Sequence, residues 1–312
     1  MSTQTPLTDE QCFRALMENT VDSIYFKDRK CRLVRVSQMM ADTLGVSDPQ
    51  ELYGKTDIEL FGEEFGRRTL MDDTKVMQTG EPIVGLVESR RLESGQLNWT
   101  LTSKLPIRDE DGTVIGLMGI TREINELKQT ELNLQHLATH DFLTDLPNRF
   151  LMNDRLEQIM ARAERSSLDF AVIYMDLNNF KSVNDTYGHE VGDMLLCQVA
   201  QRLKSVVRAT DTVARIGGDE FMIILAALHQ REDVTIVADK VQACFANPFS
   251  VGQHQIKMQA SIGISLYPEH GEDEETLVKA ADYAMYLSKR RSGRYVLCPK
   301  DKLTFGDETQ PE

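Results

Sequence analysis

An apolar run, FAVIYMD at residues 170–176, ends in a carboxylate, and Gly217, Gly218, Asp219 and Glu220 stand consecutively between the apolar runs VARI and FMIIL. A dry strand ending in Asp176 delivers that carboxylate to the rim of a sheet. A hairpin paired beside it delivers Asp219 and Glu220 to the same rim. Carboxylates converging there are hard oxygen donors suited to Mg²⁺ held together with substrate phosphates. Glycines at 217 and 218 remove side chains where a nucleotide would approach the backbone. The plain alternative for such a tetrapeptide is a glycine-rich turn with solvated acids. The segment DLNNFKSVNDTYGHEVGD, residues 176–193, adds Lys181, Asn184, His189 and Asp193 within a short stretch. A lysine suits phosphate, and Asn with Asp offers donors and acceptors for a purine edge. Taken singly, His189 reads as a capping or core histidine.

The elements that must position these groups follow from the pattern. After FAVIYMD comes a helix with Leu195, Leu196, Val199, Leu203, Val206 and Val207 at helical spacing, then the hairpin. A helix near 233–246, the strand MQASIGISLY and a last helix, ETLVKAADYAMYLSKRR, complete the half. Strand–helix–strand–strand–helix–strand is the ferredoxin-like order. The first half differs. Strand-like runs SIYFKD, CRLVRVS, PIVGLVESRR, LNWTLTSKLPI and VIGLMGITREI surround a helical stretch, Ser37 to about Met77, broken by Gly45, Pro49, Gly54 and Gly62. Asp111-Gly112 reads as a hairpin turn, so both halves are α+β. Between them Ile120, Ile124, Leu127, Glu131, Leu134 and Ala138 fall at a and d spacing, which predicts a linker helix over 122–140 that either pairs with a second copy or packs as a single connector.

The chain has 312 residues, which predicts two domains. Lys+Arg number 35 against 49 Asp+Glu, a net charge of −14, and such a field argues against nucleic acid as a partner. No run approaches the roughly 20 apolar residues of a membrane span, and the start MSTQTPLTDEQ lacks a signal-peptide pattern. Five scattered cysteines, none in a C-x-x-C pair, argue against disulfides and a zinc site. These features predict a cytoplasmic protein with no membrane partner.

ARIGGDEF (214–221), with DLNNFKSVNDTYGHEVGD, DFLTDLPNR (141–149) and ADYAMYLSKRRSGR (281–294), closely resembles the GGDEF family of diguanylate cyclases. Residues 11–124, opening with FRALMENTVDSIYFKD and closing with DEDGTVIGLMGITREI, resemble a PAS sensory domain. The expected organisation is a flexible tail at 1–10, a PAS domain at 11–121, the linker at 122–140, a GGDEF domain at 141–299 and an acidic tail at 300–312. The second domain is expected to resemble a nucleotidyl cyclase or polymerase palm.

The resemblance implies condensation of two GTP to cyclic di-GMP and two pyrophosphates, in a homodimer joined through the PAS domain and linker helix. It implies Mg²⁺, with Mn²⁺ as an alternative, on the Asp176 carboxylate, the Leu177 carbonyl and Asp219. Asp219 or Glu220 would take the proton of the attacking 3′-hydroxyl. Asn184 and Asp193 would read guanine, with His189 as a substrate contact and Lys181 stabilising charge in the transition state. Amides around Asn179 and Phe180 would cradle phosphates at a helix start, and Gly217 and Gly218 would line the substrate. Lys289 and either Arg294 or Arg291 would reach phosphate. Arg208 and Asp211, an R-x-x-D pair ahead of the double glycine, match the family's inhibitory product site. Retention of Asp193 favours cyclic di-GMP, because relatives making mixed cyclic GMP-AMP replace it. Asp145 stands where the family has Gly, the ending from Ser288 to Tyr295 is one residue longer and lacks an Asn, and Asn178 replaces a common Asp.

For the PAS half the ligand is open. No histidine precedes His136, which argues against a histidine-ligated haem there, and Cys31 lacks the flanking sequence of blue-light flavin sensors. Trp99, Tyr25 and Phe26 are candidates to line a pocket or simply to form a core. Arg90, Arg91 and Lys104 either greet an anion or form a solvated face. Two rival readings stand beside the sensor cyclase: a catalytically silent GGDEF domain that binds GTP or cyclic di-GMP, and a constitutive enzyme whose PAS domain only dimerises it.

Overall fold

The computed structural model describes residues 6–92, 94–166, 168–228, 230–290 and 295–300. Two compact units divide at Leu132 and Asn133.

The first unit opens with helix α1 (Asp9–Asn19), which starts inside the stretch read as a loose tail because Thr8 and Gln11 form a capping box. Strands β1 (Ser23–Asp28) and β2 (Leu33–Val36) follow, then α2 (Gln38–Thr43), a 3-10 turn (Pro49–Leu52), α3 (Asp57–Phe61) and α4 (Glu63–Thr79). Gly45 follows the end of α2, Pro49 opens the 3-10 turn and Gly62 separates α3 from α4. Strands β3 (Ile83–Arg91), β4 (Leu97–Arg108) and β5 (Val114–Glu123) complete an antiparallel sheet of order β2-β1-β5-β4-β3. At Asp111-Gly112 the chain turns from β4 to β5, with Asp109 Oδ1 accepting from the amides of Asp111 and Thr113. Tyr25, Leu33, Val36, Met40, Leu52, Val76 and Leu117 form the core between sheet and helices.

Helix α5 (Asn125–Thr139) is shorter than the predicted linker helix. Ile120 lies in β5, in register with Ile24, and Ile124 is buried after that strand, so the a/d stripe begins only at Leu127. The backbone hydrogen bond from Ile124 to the Trp99 carbonyl keeps the chain extended beyond the end of β5.

The second unit contains α6 (Arg149–Ser166), β6 (Asp169–Leu177), α7 (Phe180–Tyr187), α8 (His189–Val206), β7 (Thr212–Gly217), β8 (Glu220–Leu228), α9 (Glu232–Ala243), the β9 (Phe249–Val251) and β10 (His254–Ile256) hairpin, β11 (Ala260–Tyr267), α10 (Glu274–Arg290) and β12 (Val296–Leu297). The main sheet runs β12-β11-β6-β8-β7, mixed because β12 pairs parallel with β11. Without β12 it has the ferredoxin-like order, all antiparallel.

Central strand β6 is apolar on both faces because each face carries its own core. Ala171, Ile173, Met175 and Leu177 pack with Leu195, Leu196, Val199 and Leu203 of α8 and with α9. Phe170, Val172 and Tyr174 pack with Met152 and Leu156 of α6 and with Leu277, Ala281 and Met285 of α10. The two-residue period of the strand therefore puts Asp176 on the α6/α10 face and Leu177 on the other.

Candidate active site

Asp176 ends β6 in register with Glu220 of β8, so both carboxylates emerge on one face at the rim. Lys289, on the last turn of α10, reaches Asp176 with Nζ 3.0 Å from Oδ1. Tyr174, two residues earlier on the same face, donates to Glu220 Oε2 at 3.3 Å. Burial, then the Glu220 charge, pushes the Tyr174 hydroxyl up to about 12. Asp219 sits in the turn before β8, and burial together with the negative charge of Asp176 holds its carboxyl above the ordinary range. A carboxyl raised by burial and by a neighbouring carboxylate is one whose charge a divalent cation would relieve, and the two acids are hard oxygen donors of the kind such a cation takes. Asp282 of α10 is a further acid beside them, raised by desolvation, drawn back by Lys289 and raised again by Asp176.

The turn that carries Asp219 is pinned from both sides. The Leu177 amide donates to the Asp219 carbonyl at 3.2 Å. Arg215 donates through Nε and Nη2 to the Gly218 carbonyl at 2.9 and 2.8 Å, and through Nη1 to Asp141 Oδ1 at 2.9 Å. Asp141 also accepts from the Thr144 amide and hydroxyl. Burial works against its charge, but the Thr144 and Arg215 hydrogen bonds hold its carboxyl below the ordinary range. Gly218 has φ +52°, a left-handed conformation that suits glycine, and Gly217 and Gly218 are both exposed.

Beyond Leu177 the chain reverses through Asn179, itself left-handed at φ +59°, and α7 starts at once. The first amides of α7 thus lie four residues after Asp176 in the chain. Lys181, His189 and Asp193 are exposed on α7 and α8. Asn184 is drawn against α8 because Gly192 has no Cβ: one built there would lie 1.9 Å from Asn184 Oδ1. That oxygen is buried with no hydrogen-bond partner, next to the turn that presents Asp193. Asn178 accepts from the Ser261 hydroxyl at 2.7 Å.

Arg208 and Asp211 lie away from this rim, in the loop entering β7. Asp211 accepts from the amides of Arg208 and Ala226 at 2.9 and 3.2 Å, and the Arg208 side chain is exposed beside a cavity of about 70 Å³ that Lys240 and Asp233 also line. Arg294 and Arg291 fall outside the described residues. The sequence reading singled out neither Arg215, Asp141, Gly192 nor Asp282 as site residues. Arg215 and Asp141 were in plain view within ARIGGDEF and DFLTDLPNR, but 74 positions separate them and no periodicity links them.

The family model for the diguanylate cyclase GGDEF domain matches residues 138–294, and the PAS-fold model matches residues 17–129. The chain belongs to the GGDEF diguanylate cyclase family. It is 43% identical over 198 residues to the bifunctional diguanylate cyclase/cyclic di-GMP phosphodiesterase MucR of Pseudomonas aeruginosa, covering 64% of this chain and 28% of that one. It is 38% identical over 167 residues to the diguanylate cyclase TpbB of the same species, covering 53% of this chain and 38% of that one. The solved GGDEF domain of TpbB superimposes with a TM-score of 0.51 at 36% identity, covering 52% of this chain and 95% of that one. The chain thus spans well under half the length of these curated relatives.

The PAS unit holds a cavity of about 150 Å³. Tyr25, Arg90 and Lys104 line it, but Trp99, Phe26 and Arg91, singled out with them from the sequence, do not. Phe26 stacks edge-on with Phe13 of α1, and Trp99 lies under Lys128. Strand alternation explains the difference for Phe26, whose side chain leaves the sheet opposite to that of Tyr25. Among the described residues no helix is long and apolar enough to cross a membrane, and all five cysteines are free.

Proposed function

We propose that this protein is a signal-responsive diguanylate cyclase that joins two GTP into cyclic di-GMP, releasing two pyrophosphates. The observation that carries this reading is the pair Asp176 and Asp219 at one strand end, with Asp219 raised by burial and then by its neighbour's charge, and Lys289 drawn onto Asp176. Mg²⁺ or Mn²⁺ would be held by these two carboxylates and the Leu177 carbonyl, and when bound it supplies charge neutralisation for the phosphates.

The chain's own residues do the rest. The amides at Asn179 and Phe180 hold phosphate oxygens at the start of α7, and the open Gly217-Gly218 backbone lets the nucleotide lie against the turn. Lys181 and Lys289 offset the charge that accumulates as pyrophosphate leaves, with Arg294 or Arg291 as a second phosphate contact. Asn184 and Asp193 face guanine: the carboxylate accepts from N1–H and the 2-amino group, which adenine does not offer as a pair. His189 adds a substrate contact. Asp219 or Glu220 takes the 3′-hydroxyl proton as that oxygen bonds to the α-phosphorus of the partner's GTP and the bond to pyrophosphate breaks. The same step with the two nucleotides' roles exchanged forms the second phosphodiester bond, releases the second pyrophosphate and closes the ring.

Each GGDEF domain holds one GTP, so the reaction requires two chains. Leu127, Leu134 and Leu137 are 64%, 62% and 56% exposed on α5, which supports pairing of this helix in a homodimer whose geometry the PAS domain sets. The exposed Arg208, beside Asp211, forks onto the phosphate of returning product and lowers the rate.

The test is purified protein with GTP and Mg²⁺, products resolved by chromatography, and Asp219→Ala as control. Cyclic di-GMP from the wild type alone is expected. Nucleotide binding without turnover would replace this reading with that of a silent receptor. Pre-incubation with cyclic di-GMP should slow the initial rate, and an Arg208→Ala protein should escape that inhibition.

A further inference from the structure

The cavity of the PAS domain carries charges that the catalytic reading leaves unused. One wall is apolar, built by Met39, Met40, Phe61 and Phe65, and the sheet opposite presents hydroxyls from Thr100 and Thr121. Asp57 and Lys104 also line it, but each is neutralised within the protein: Asp57 by Lys27 at 2.6 Å and Lys104 by Asp73 at 2.7 Å. Glu123 is exposed.

Two other charges on the lining are not satisfied in this way. Glu88 is buried, its side chain 7% exposed, and its Oε1 has no hydrogen-bond partner. The cation nearest to it, Arg68 Nε, lies 3.9 Å away, beyond hydrogen-bond range. The Arg90 guanidinium lies over the rings of Phe61 and Phe65, at 4.9 and 5.9 Å from their centroids, and has no carboxylate partner among the described residues. Glu88 and Arg90 stand two residues apart on β3, so they leave the same face of the strand with their backbones about 6.6 Å apart.

We propose that this cavity binds a small zwitterion, an aliphatic α-amino acid of about valine to methionine size. Its ammonium donates to Glu88 and its carboxylate accepts the fork of Arg90, which the two phenyl rings already hold flat. Its side chain lies against Phe61, Phe65 and the methionines. The size limit follows from the cavity, since about 150 Å³ accommodates a benzene-sized molecule. A simple amine would leave Arg90 unpaired, and a simple carboxylic acid would bring a second negative charge beside Glu88. Both polar ends are therefore required together.

This proposal does not rest on the cyclase reading, because binding is measured directly and without GTP. The full-length protein is titrated calorimetrically with L-valine, L-leucine and L-methionine up to about 10 mM, with thermal unfolding in parallel. The amine-only and acid-only counterparts of leucine, 3-methylbutylamine and 4-methylpentanoate, serve as controls. At least one amino acid is expected to bind and raise the unfolding temperature. The leucine counterparts, and the Glu88→Gln and Arg90→Gln proteins, should each bind roughly 10- to 100-fold more weakly, the loss of one charged hydrogen bond. Arg90, only partly buried, carries the test if Glu88→Gln does not fold. No binding by any of the three amino acids, or either counterpart binding within about threefold of leucine, less than one such bond is worth, overturns the proposal.

Discussion

Arg215 Nη1 lies 2.9 Å from Asp141 Oδ1, and the same guanidinium donates twice to the Gly218 carbonyl. The DFLTDLPNR segment is thereby a brace for the turn that presents Asp219. This brace is reinforced by the Arg215 amide, which donates to the Pro147 carbonyl at 3.0 Å.

Removing the brace should harm turnover more than folding. Arg215→Gln is expected to lower kcat by roughly 10- to 100-fold, since a displacement of about 1 Å at a reacting group costs that much. Stability should fall by only about 1–3 kcal/mol, the worth of charged hydrogen bonds at a partly buried site. Steady-state kinetics and urea unfolding of the same protein check both figures, and unchanged kcat would mean that the turn holds itself.

The Lys289–Asp176 pair is open on the lysine side, at 42% exposure against 16% for the acid. An ion pair of this kind is worth about 1 kcal/mol or less to the fold. Lys289→Met should leave the urea midpoint nearly unchanged and still weaken GTP, with KM rising roughly 10-fold for one lost charged phosphate contact. A large stability loss with normal KM would make Lys289 a structural residue.

The PAS core contains a buried chain of charges. Asp73 of α4 is fully buried and lies 2.6 Å from Lys27 Nζ and 2.7 Å from Lys104 Nζ. Desolvation opposes the Lys27 charge, yet Asp57 and Asp73 hold its pKa above the ordinary value. Asp73→Asn leaves two buried lysines short of a counter-charge and should cost about 3–5 kcal/mol. Asp72→Asn, 4.0 Å from Lys104 and partly exposed, should cost about 1 kcal/mol or less. Denaturant unfolding of the two proteins separates these outcomes.

His270 gives the GGDEF domain an acid-sensitive joint. Its Nδ1 accepts from the Leu266 amide at 2.8 Å, so the imidazole must be neutral for this bond to exist. Burial lowers its pKa below the ordinary value, Glu269 opposes that shift, and Arg231 and Lys300 add to it. A histidine whose folded pKa is depressed contributes stability that is complete above its unfolded pKa of about 6.5 and lost as pH falls through the folded value. The unfolding temperature should therefore drop below about pH 6.5. His270→Asn, which offers an amide oxygen in place of Nδ1 but does not titrate, should flatten that decline. His140, also lowered by burial and by His136, leaves a residual slope. A wild-type curve flat from neutral to mildly acid pH would contradict this account.

Local pattern was enough for the parts of this chain that local chemistry determines. The strand FAVIYMD and the Gly217–Glu220 hairpin are written in consecutive residues, the helix breakers Gly45, Pro49, Gly54 and Gly62 are each a single residue, and the structure has them there. The α6 helix and the β9–β10 hairpin had no comparable signature, since α6 has only a few buried positions among many charges and the hairpin strands are three residues each. The helix start at Asn125 was misplaced because Ile120 and Ile124 satisfy a heptad and a strand equally well, and only pairing with β1 decides between them. At the rim, which residues carry acids was legible, whereas the Arg215–Asp141 brace and the buried Glu88 Oε1 without a hydrogen bond depend on contacts distant in sequence.

Gly192 illustrates that last kind of dependence and allows a direct test of the base-reading assignment. A Cβ at this position would fall 1.9 Å from Asn184 Oδ1 and 3.3 Å from the Phe180 ring. Gly192 lies inside α8, where alanine is favoured over glycine by about 1 kcal/mol on propensity alone. Gly192→Ala therefore sets a gain in helix stability against displacement of one side chain, and that side chain has a buried oxygen with nothing bound to it. If Asn184 reads guanine, the substitution should leave the unfolding midpoint within about 1 kcal/mol while raising KM for GTP roughly 10-fold or more, the worth of a hydrogen bond left unmade in a buried site. Discrimination against inosine triphosphate, which lacks the 2-amino group that the proposed reading assigns to Asp193, should persist, because the α8 turn that carries the carboxylate is unmoved. An unchanged KM for GTP with that discrimination intact would transfer the reading role from Asn184 to Asp193 alone.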